Sequence, residues 1–326
     1  MERPVHHKVA MSVHATESVT DSKTAEFGFY PKRLDLKTDN FSLDTLSDHD
    51  SASKYIKDHP NVENGWFYAE LQETYDLRGN VITRPYSGRV FCMPKTHKLV
   101  LNGSYSEDDV CFVIWCLSFF TGMRLTSTQA GFLDATPVKP GALVDFCLSG
   151  SNESDAIQLA LNFLNKEDCQ VTTCMRLAAV IHALFLSQNP KNLHFEKFQY
   201  LYMALDGCFS IIWDERDKTK KIKKPLHKDR VYWMCDTLGM PIPFWADGED
   251  NIADVRNENF HEAIFFGQPL GFSAYGSEQS GTVRNAILLQ MEALICRYLV
   301  ALLGGTDTSY INSPLNTREY FSLKLK

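Results

Sequence analysis

The pattern of apolar and polar positions changes character about a third of the way along the chain. Up to about residue 105, apolar residues come in short clusters at 25–30, 66–75, 81–83, 89–93 and 98–101, rich in aromatic and β-branched side chains. Between them stand turn formers: Arg78-Gly79-Asn80, Pro85, Ser87-Gly88 and Asn102-Gly103. This pattern predicts short strands, with Gly79-Asn80 at a hairpin turn. The polar stretch 38–64 reads as loop or short helix. Residues 1–24 read as a flexible or irregular N-terminus.

From Ser106 the period lengthens. Ser106 with Asp109 three residues on is a helix-capping pair, and the apolar run 110–120 follows it. Pro137, Pro140 and Gly141 mark a connector. Three stripes at helical spacing come next. They are Ile157-Ala160-Leu161-Leu164, then Cys174-Leu177-Ala178-Ile181-Leu184-Phe185, then Phe195-Phe198-Leu201-Leu205-Phe209-Ile212. A shorter helix is expected over 227–238. A long one is expected over 282–303, stopping at Gly304-Gly305. The expected fold class is α+β. A β-rich domain (25–105) leads through a helix and connector (106–150) into an all-α helical-bundle domain (151–305) and a C-terminal tail (306–326).

Composition narrows the function classes. The chain has 326 residues, enough for two domains. Its 33 Lys+Arg against 40 Asp+Glu give a net charge of −7, which argues against a surface built wholly for nucleic acid but leaves room for a local basic site. The start is polar and lacks the order of a signal peptide. The longest apolar run, 110–120, is about half a membrane span. Nine scattered cysteines form no CxxC pair and sit mostly on apolar stretches, as small core residues do. The expectation is a cytoplasmic protein with no membrane contact and no zinc ribbon or disulfide scaffold. Glycine-rich phosphate loops and GxSxG are absent, which weakens NTPase, dinucleotide-enzyme and hydrolase readings.

The candidate chemistry lies in Val255-Arg256-Asn257-Glu258-Asn259-Phe260-His261-Glu262-Ala263. On a helix, Asn257 and His261 share a face and Arg256 sits to the side. Asp254 is the expected cap, which would place the trio in the first two turns, near N–H groups that favour phosphate. Arg presents a fork of donors to phosphate oxygens, and His moves protons near neutral pH. Those two groups suffice in principle to cleave RNA without a metal, because the ribose 2′-OH supplies the nucleophile. An ordinary polar helix face with a hydrogen-bonded His261 accounts for the same residues. Val283-Arg284-Asn285 repeats the start of the motif without a following His and reads as structural.

Arg256-Asn257 followed by His261, set between long helices, resembles the signature of the HEPN superfamily, and the β-rich front half is similar to its ApeA-like branch. The resemblance covers roughly residues 150–305. It implies a HEPN-like helical bundle and a metal-independent endoribonuclease with no cofactor, acting as a homodimer with a composite active site. By it, His261 transfers protons or positions phosphate, Arg256 stabilises the charged transition state, and Asn257 orients the phosphate or His261. The implied setting is phage defence or toxin-type growth arrest, with RNA as substrate and a regulatory protein or phage trigger as a further partner. Two rivals stand beside this. One is a non-catalytic dimerisation module that binds nucleotide, RNA or a partner protein. The other is an antitoxin-associated or nucleotidyltransferase-partnered HEPN protein whose site is a target of modification.

Neighbouring features bear on the same question. Lys218, Lys220, Lys221, Lys223, Lys224, Lys228 and Arg230 place seven basic residues against one Asp in thirteen positions, a candidate RNA-binding segment or a solvated loop. Gly267, Gly271, Phe272, Tyr275, Gly276 and Gly281 follow the motif and read as a connector, or as a loop whose aromatics stack on bases. Asp48-His49-Asp50 and Asp58-His59 look like metal-ligand pairs, but lack further spaced ligands and read as surface residues.

Overall fold

The computed structural model describes residues 22–69, 72–84, 90–127, 132–133, 135–150, 152–167, 169–216, 222–246, 251–261, 282–316 and 319–325. The chain opens with β1 (Ser22–Phe27), β2 (Leu36–Lys37), β3 (Phe41–Thr45) and α1 (His49–Lys57). Next come β4 (Val62–Glu63), β5 (Trp66–Tyr68), β6 (Gln72–Tyr75), β7 (Val81–Arg84), β8 (Val90–Phe91) and β9 (His97–Asn102). Helix α2 (Glu107–Thr121) is followed by β10 (Phe132–Leu133), β11 (Ala135–Pro137) and β12 (Phe146–Leu148). The rest is mainly helical: α3 (Glu153–Leu164), α4 (Val171–Ser187), α5 (His194–Glu215), a 3-10 turn at His227–Asp229, α6 (Arg230–Leu238) and a second 3-10 turn at Phe244–Ala246. It closes with α7 (Ile252–His261), α8 (Thr282–Leu302), α9 (Thr308–Ile311) and β13 (Phe321–Leu323). The fold is mixed α+β, with small sheets built mostly from N-terminal strands.

The largest sheet has the order β1-β9-β3-β2 and is antiparallel throughout. Its register sets Ala25 and Leu43 opposite Leu99, and Phe41 opposite Leu101. Alternation decides which face is buried: Phe41, Leu43, Leu99 and Leu101 point inward while Asp44 is exposed. Strand β3 falls in the stretch expected to be loop or short helix. Only α1 and the connecting turns there match that expectation. The five-residue pattern Phe-Ser-Leu-Asp-Thr is a half-buried strand that pairs with the two-residue β2 just before it and with the distant β9. Cluster 66–75 divides into β5 and β6, which belong to different sheets. The Gly79 turn is as expected. Gly79 takes a left-handed φ of +80°, and Asp76 Oδ1 accepts from the Arg78 and Asn80 amides, both at 2.8 Å, closing β6 onto β7.

Helix α2 is the spine. Ser106 Oγ accepts from Asp109 N at 3.1 Å and Asp109 Oδ2 accepts from Ser106 N at 2.7 Å, so both ends of the capping pair are made. At the other end Gly122 has φ +59°, and a Cβ there would sit 2.8 Å from Gly141 Cα, so only glycine fits. The helix is buried almost all round, from Val110 through Thr121. It packs against β1 and β9 on one side and α3 and α4 on the other. One continuous apolar core therefore serves strands and helices alike, running from Phe27 to Leu325.

The stretch expected to be a tail carries structure. β13 pairs with β12 in parallel, Phe146 opposite Phe321. An ion pair sits at this closure. Arg297 of α8 is 1% exposed, and its Nη1 donates to Asp145 Oδ2 at 2.7 Å and to Ala293 O at 2.6 Å. Its Nη2 donates to Ser313 Oγ at 2.6 Å, and Tyr310 donates to Asp145 Oδ1 at 2.6 Å. Removing one partner strands a buried charge. Asp145→Ala is expected to lose on the order of 3–5 kcal/mol in urea unfolding, and Asp145→Leu with Arg297→Met to recover much of that. A single-variant loss below about 1 kcal/mol, the range of exposed ion pairs, would show that the pair does not hold the C-terminal closure.

Candidate functional site

The site is built from the start of α7 upward. Asn251, buried just before the helix, fixes that start. Its Oδ1 accepts from Ala253 N at 2.8 Å, and its Nδ2 donates to Lys228 O at 2.9 Å and Ala246 O at 3.3 Å. Asn251 rather than Asp254 is thus the cap, and Asp254 is an exposed first-turn residue. Asparagine wins because it offers an acceptor to the helix and donors to two neighbouring segments at once. The correction moves the motif: Arg256 and Asn257 fall in the second turn, and His261 is the helix's last described residue. At about 1.5 Å per residue, His261 lies roughly 15 Å along the axis from Asn251, beyond reach of the free N–H groups of the first turn. Arg256 and His261, five residues apart, differ by roughly 140° around the axis, whereas Asn257 and His261 share a face. The side chain of His261 lies outside the described residues.

Arg256 is half-buried. Its Nη1 donates to Asn257 Oδ1 at 3.1 Å, and its guanidinium carbon is 6.0 Å from the centre of the Tyr202 ring. Tyr202, on α5, is buried, and burial pushes its hydroxyl up to about 12, with Asp206 adding to the rise and Arg256 and Arg230 opposing it. That hydroxyl stands 3.4 Å from His227 Nδ1. One turn along α5, Asp206 Oδ1 accepts from Arg230 Nη1 at 2.6 Å. Lys224 Nζ stands over the Phe209 and Trp213 rings, at 5.6 and 6.0 Å.

The basic segment is therefore only partly a free loop. Lys223, Lys224 and Lys228 are exposed, but Lys224 leans on α5, Lys228 O receives Asn251, and Arg230 is tied to Asp206. Lys218, Lys220 and Lys221 lie outside the described residues, as does the glycine-punctuated stretch from Gly267 to Gly281. What the fold brings together is Arg256, Arg230, Lys224, His227 and the Tyr202 hydroxyl, with Asp206 as the counter-charge. His227 is exposed on balance. Its imidazole is held below its ordinary value by partial burial first and then by Arg230, Arg256 and Lys224, against the pull of Asp206. A neutral imidazole among cations can take a proton while the cations hold an anion.

Sequence reasoning singled out neither His227 nor Tyr202. Tyr202 neighbours Leu201 of the α5 stripe but is not in it, and no local spacing relates position 202 to 227 or 256. The Asp-His pairs need one correction. His49 is buried rather than on the surface, its Nε2 3.2 Å from Tyr30 O and its ring edge-on to His97. Its place in α1, facing the sheet, takes it there. The small cavity between Trp66, Arg124, Thr136 and His182 is another place to look for a site. It holds only about 20 Å³, one water, and no residue of α7 or of the basic segment lines it.

Electrostatics tests the cluster. In an NMR titration of the His227 ring, Arg256→Ala is expected to raise the imidazole pKa by removing a neighbouring cation. Asp206→Asn is expected to lower it by removing the neighbouring carboxylate. A ring that moves in neither variant is not part of one electrostatic cluster. No family model, no curated protein and no solved structure matches this chain.

Proposed function

We propose that the chain is a metal-independent endoribonuclease of the HEPN kind, cutting RNA from a cytoplasmic homodimer. The observation that carries this reading is the position of Arg256. The one arginine of the Arg-Asn-x3-His motif stands beside a neutral His227 and the Tyr202 hydroxyl in a junction of cations. RNA cleavage asks for that chemistry and little more. The 2′-OH loses its proton to an imidazole and its oxygen attacks phosphorus. The P–O5′ bond breaks, the leaving oxygen takes a proton, and the products are a 2′,3′-cyclic phosphate and a 5′-hydroxyl. Charge builds on the non-bridging oxygens in the transition state, where Arg256 stabilises it. Asn257, bonded to Arg256, sets the guanidinium's direction. His261 supplies a second proton-transfer group.

The helix geometry favours a dimer. Within one copy Arg256 and His261 are turned roughly 140° apart, so a cleft that uses both needs a second helix facing the first. The same angle supports a second reading, a binding module that holds RNA on the cationic junction and does not cut it. The lysines at 223, 224 and 228 would serve either reading by contacting the phosphate backbone. None of the nine cysteines is in a disulfide. No helix of the described residues is long and apolar enough to cross a membrane.

The test compares the wild type with Arg256→Ala and His261→Ala on total RNA, with and without EDTA. The nuclease reading expects cleavage that survives EDTA and falls by at least about 10²-fold in each variant. Cleavage that needs a divalent metal, or that persists in both variants, rules it out. RNA retained by the wild type but never cut selects the binding module.

A further inference from the structure

Cys169 and Cys174 are placed for a chemistry that the proposed nuclease site does not use. Cys169 ends the turn between α3 and α4, and Cys174 lies in the first turn of α4. Their sulfurs are 3.5 Å apart, and both thiols are free and partly exposed. They open on a cavity of about 330 Å³ between α2 and α4, bordered by Asp109, Cys111, Trp115 and Met175. We propose that Cys169 and Cys174 are a dithiol–disulfide pair, oxidised by small-molecule disulfides of the glutathione class and reduced again by thiols.

The backbone is set for it. Cys169 N donates to Lys166 O at 3.0 Å and Cys174 N to Gln170 O at 3.2 Å, so both residues are anchored. Closing 3.5 Å to a disulfide bond of about 2.05 Å moves the sulfurs by about 1.5 Å in total, within the reach of side-chain rotation. The other cysteines are differently placed. Cys116, Cys208, Cys235 and Cys296 are buried, Cys92 and Cys147 are exposed, and Cys111, partly exposed on the same cavity, has its sulfur 3.3 Å from Ser127 Oγ.

The two thiols have different roles. Burial first, and then the bond to Cys169, push the Cys174 thiol up to about 12, so it stays protonated at neutral pH. That leaves the first attack to Cys169, 3.5 Å away. Cys169 attacks one sulfur of glutathione disulfide; the Cys169–glutathione S–S bond forms, the oxidant's S–S bond breaks, and one glutathione leaves. Cys174 gives up its proton and attacks the Cys169 sulfur, releasing the second glutathione. Two protein thiols are oxidised by two electrons, and one glutathione disulfide is reduced to two thiols. The bridge fixes the α3–α4 turn to the first turn of α4 at the mouth of the cavity.

The sequence makes the test direct. Residues 167–176 lie between Lys166 and Arg176, so one tryptic peptide carries both cysteines and no others. The full-length protein is equilibrated near neutral pH with a graded series of oxidised to reduced glutathione, quenched in acid, alkylated, digested and mapped by mass spectrometry. The wild-type peptide is expected to lose two hydrogens and escape alkylation as the oxidised fraction rises, and to regain both thiols when glutathione is reduced. In Cys174→Ser the peptide should stop with one glutathionyl group on Cys169. In Cys169→Ser it should stay unmodified. A wild-type peptide alkylated twice across the whole series, or carrying only mixed disulfides as exposed Cys92 and Cys147 would, overturns the proposal whether or not the variants fold. Modification of Cys169→Ser with none of Cys174→Ser overturns the assigned order of attack.

Discussion

A single buried cation, Arg297, fixes how the end of the chain closes on the rest. Its guanidinium lies in an apolar interior and reaches Asp145, Ala293, Ser313 and Pro314, which come from three separate stretches of chain. Asp145 in turn accepts from the Tyr310 hydroxyl, and its backbone carbonyl accepts from Phe321 N at 3.1 Å. A pair of this kind adds little net stability over apolar residues of the same volume, because desolvation offsets most of the attraction. Its effect is on choice among arrangements. Any other docking of α8, α9 or β13 leaves a charge buried without its partner, so one packing is kept and its neighbours are excluded. Helix α8 packs on α5, and α5 carries Tyr202 and Asp206. The direction of the candidate site therefore depends on a contact made at the far end of α8.

The second constraint is α2. A helix apolar on every side needs neighbours on every side, and strands and helices share that task. The β-rich front half and the helical back half consequently meet in one core, although the sequence texture changes sharply at Ser106. The long helices α3, α4 and α5 were legible because burial on one face repeats every three or four residues. Strand β3 was harder to see. Phe41 and Leu43 alternate with polar residues for only five positions inside a polar stretch, and its hydrogen-bond partner β9 is more than fifty residues away. β13 was invisible for the same reason, since its parallel partner β12 lies on the other side of all the long helices.

The site was legible to a similar degree. The motif and its helix could be read, because both are local. Which residue caps that helix could not, since Asp254 and Asn251 are both good caps and the choice falls to Asn251 through its bonds to Lys228 and Ala246. That choice has a chemical consequence. The first N–H groups of α7 belong to Ile252 and Ala253, and that of Ala253 is already taken by Asn251 Oδ1, so on the proposed reading any phosphate at Arg256 would be held by side chains around it. Tyr202, His227 and Arg230 supply that surrounding, and they are joined to Arg256 only by tertiary packing.

The acidic total of the chain and the cationic junction are compatible because charge acts over short distances in salt. The Debye length near physiological ionic strength is about 8 Å, so carboxylates scattered over the rest of a 37.1 kDa surface contribute little to the field at Arg256. Asp206 lies within that range and acts on both Tyr202 and His227. It holds Arg230 in place and partly offsets the cations, which keeps His227 from being driven still lower. An arginine beside a cluster without a carboxylate would attract anions more strongly but leave the imidazole a poorer proton acceptor. On the proposed reading, Asp206 thus sets the balance between holding a phosphate and moving a proton, and that balance, more than the net charge, would govern how the junction meets RNA.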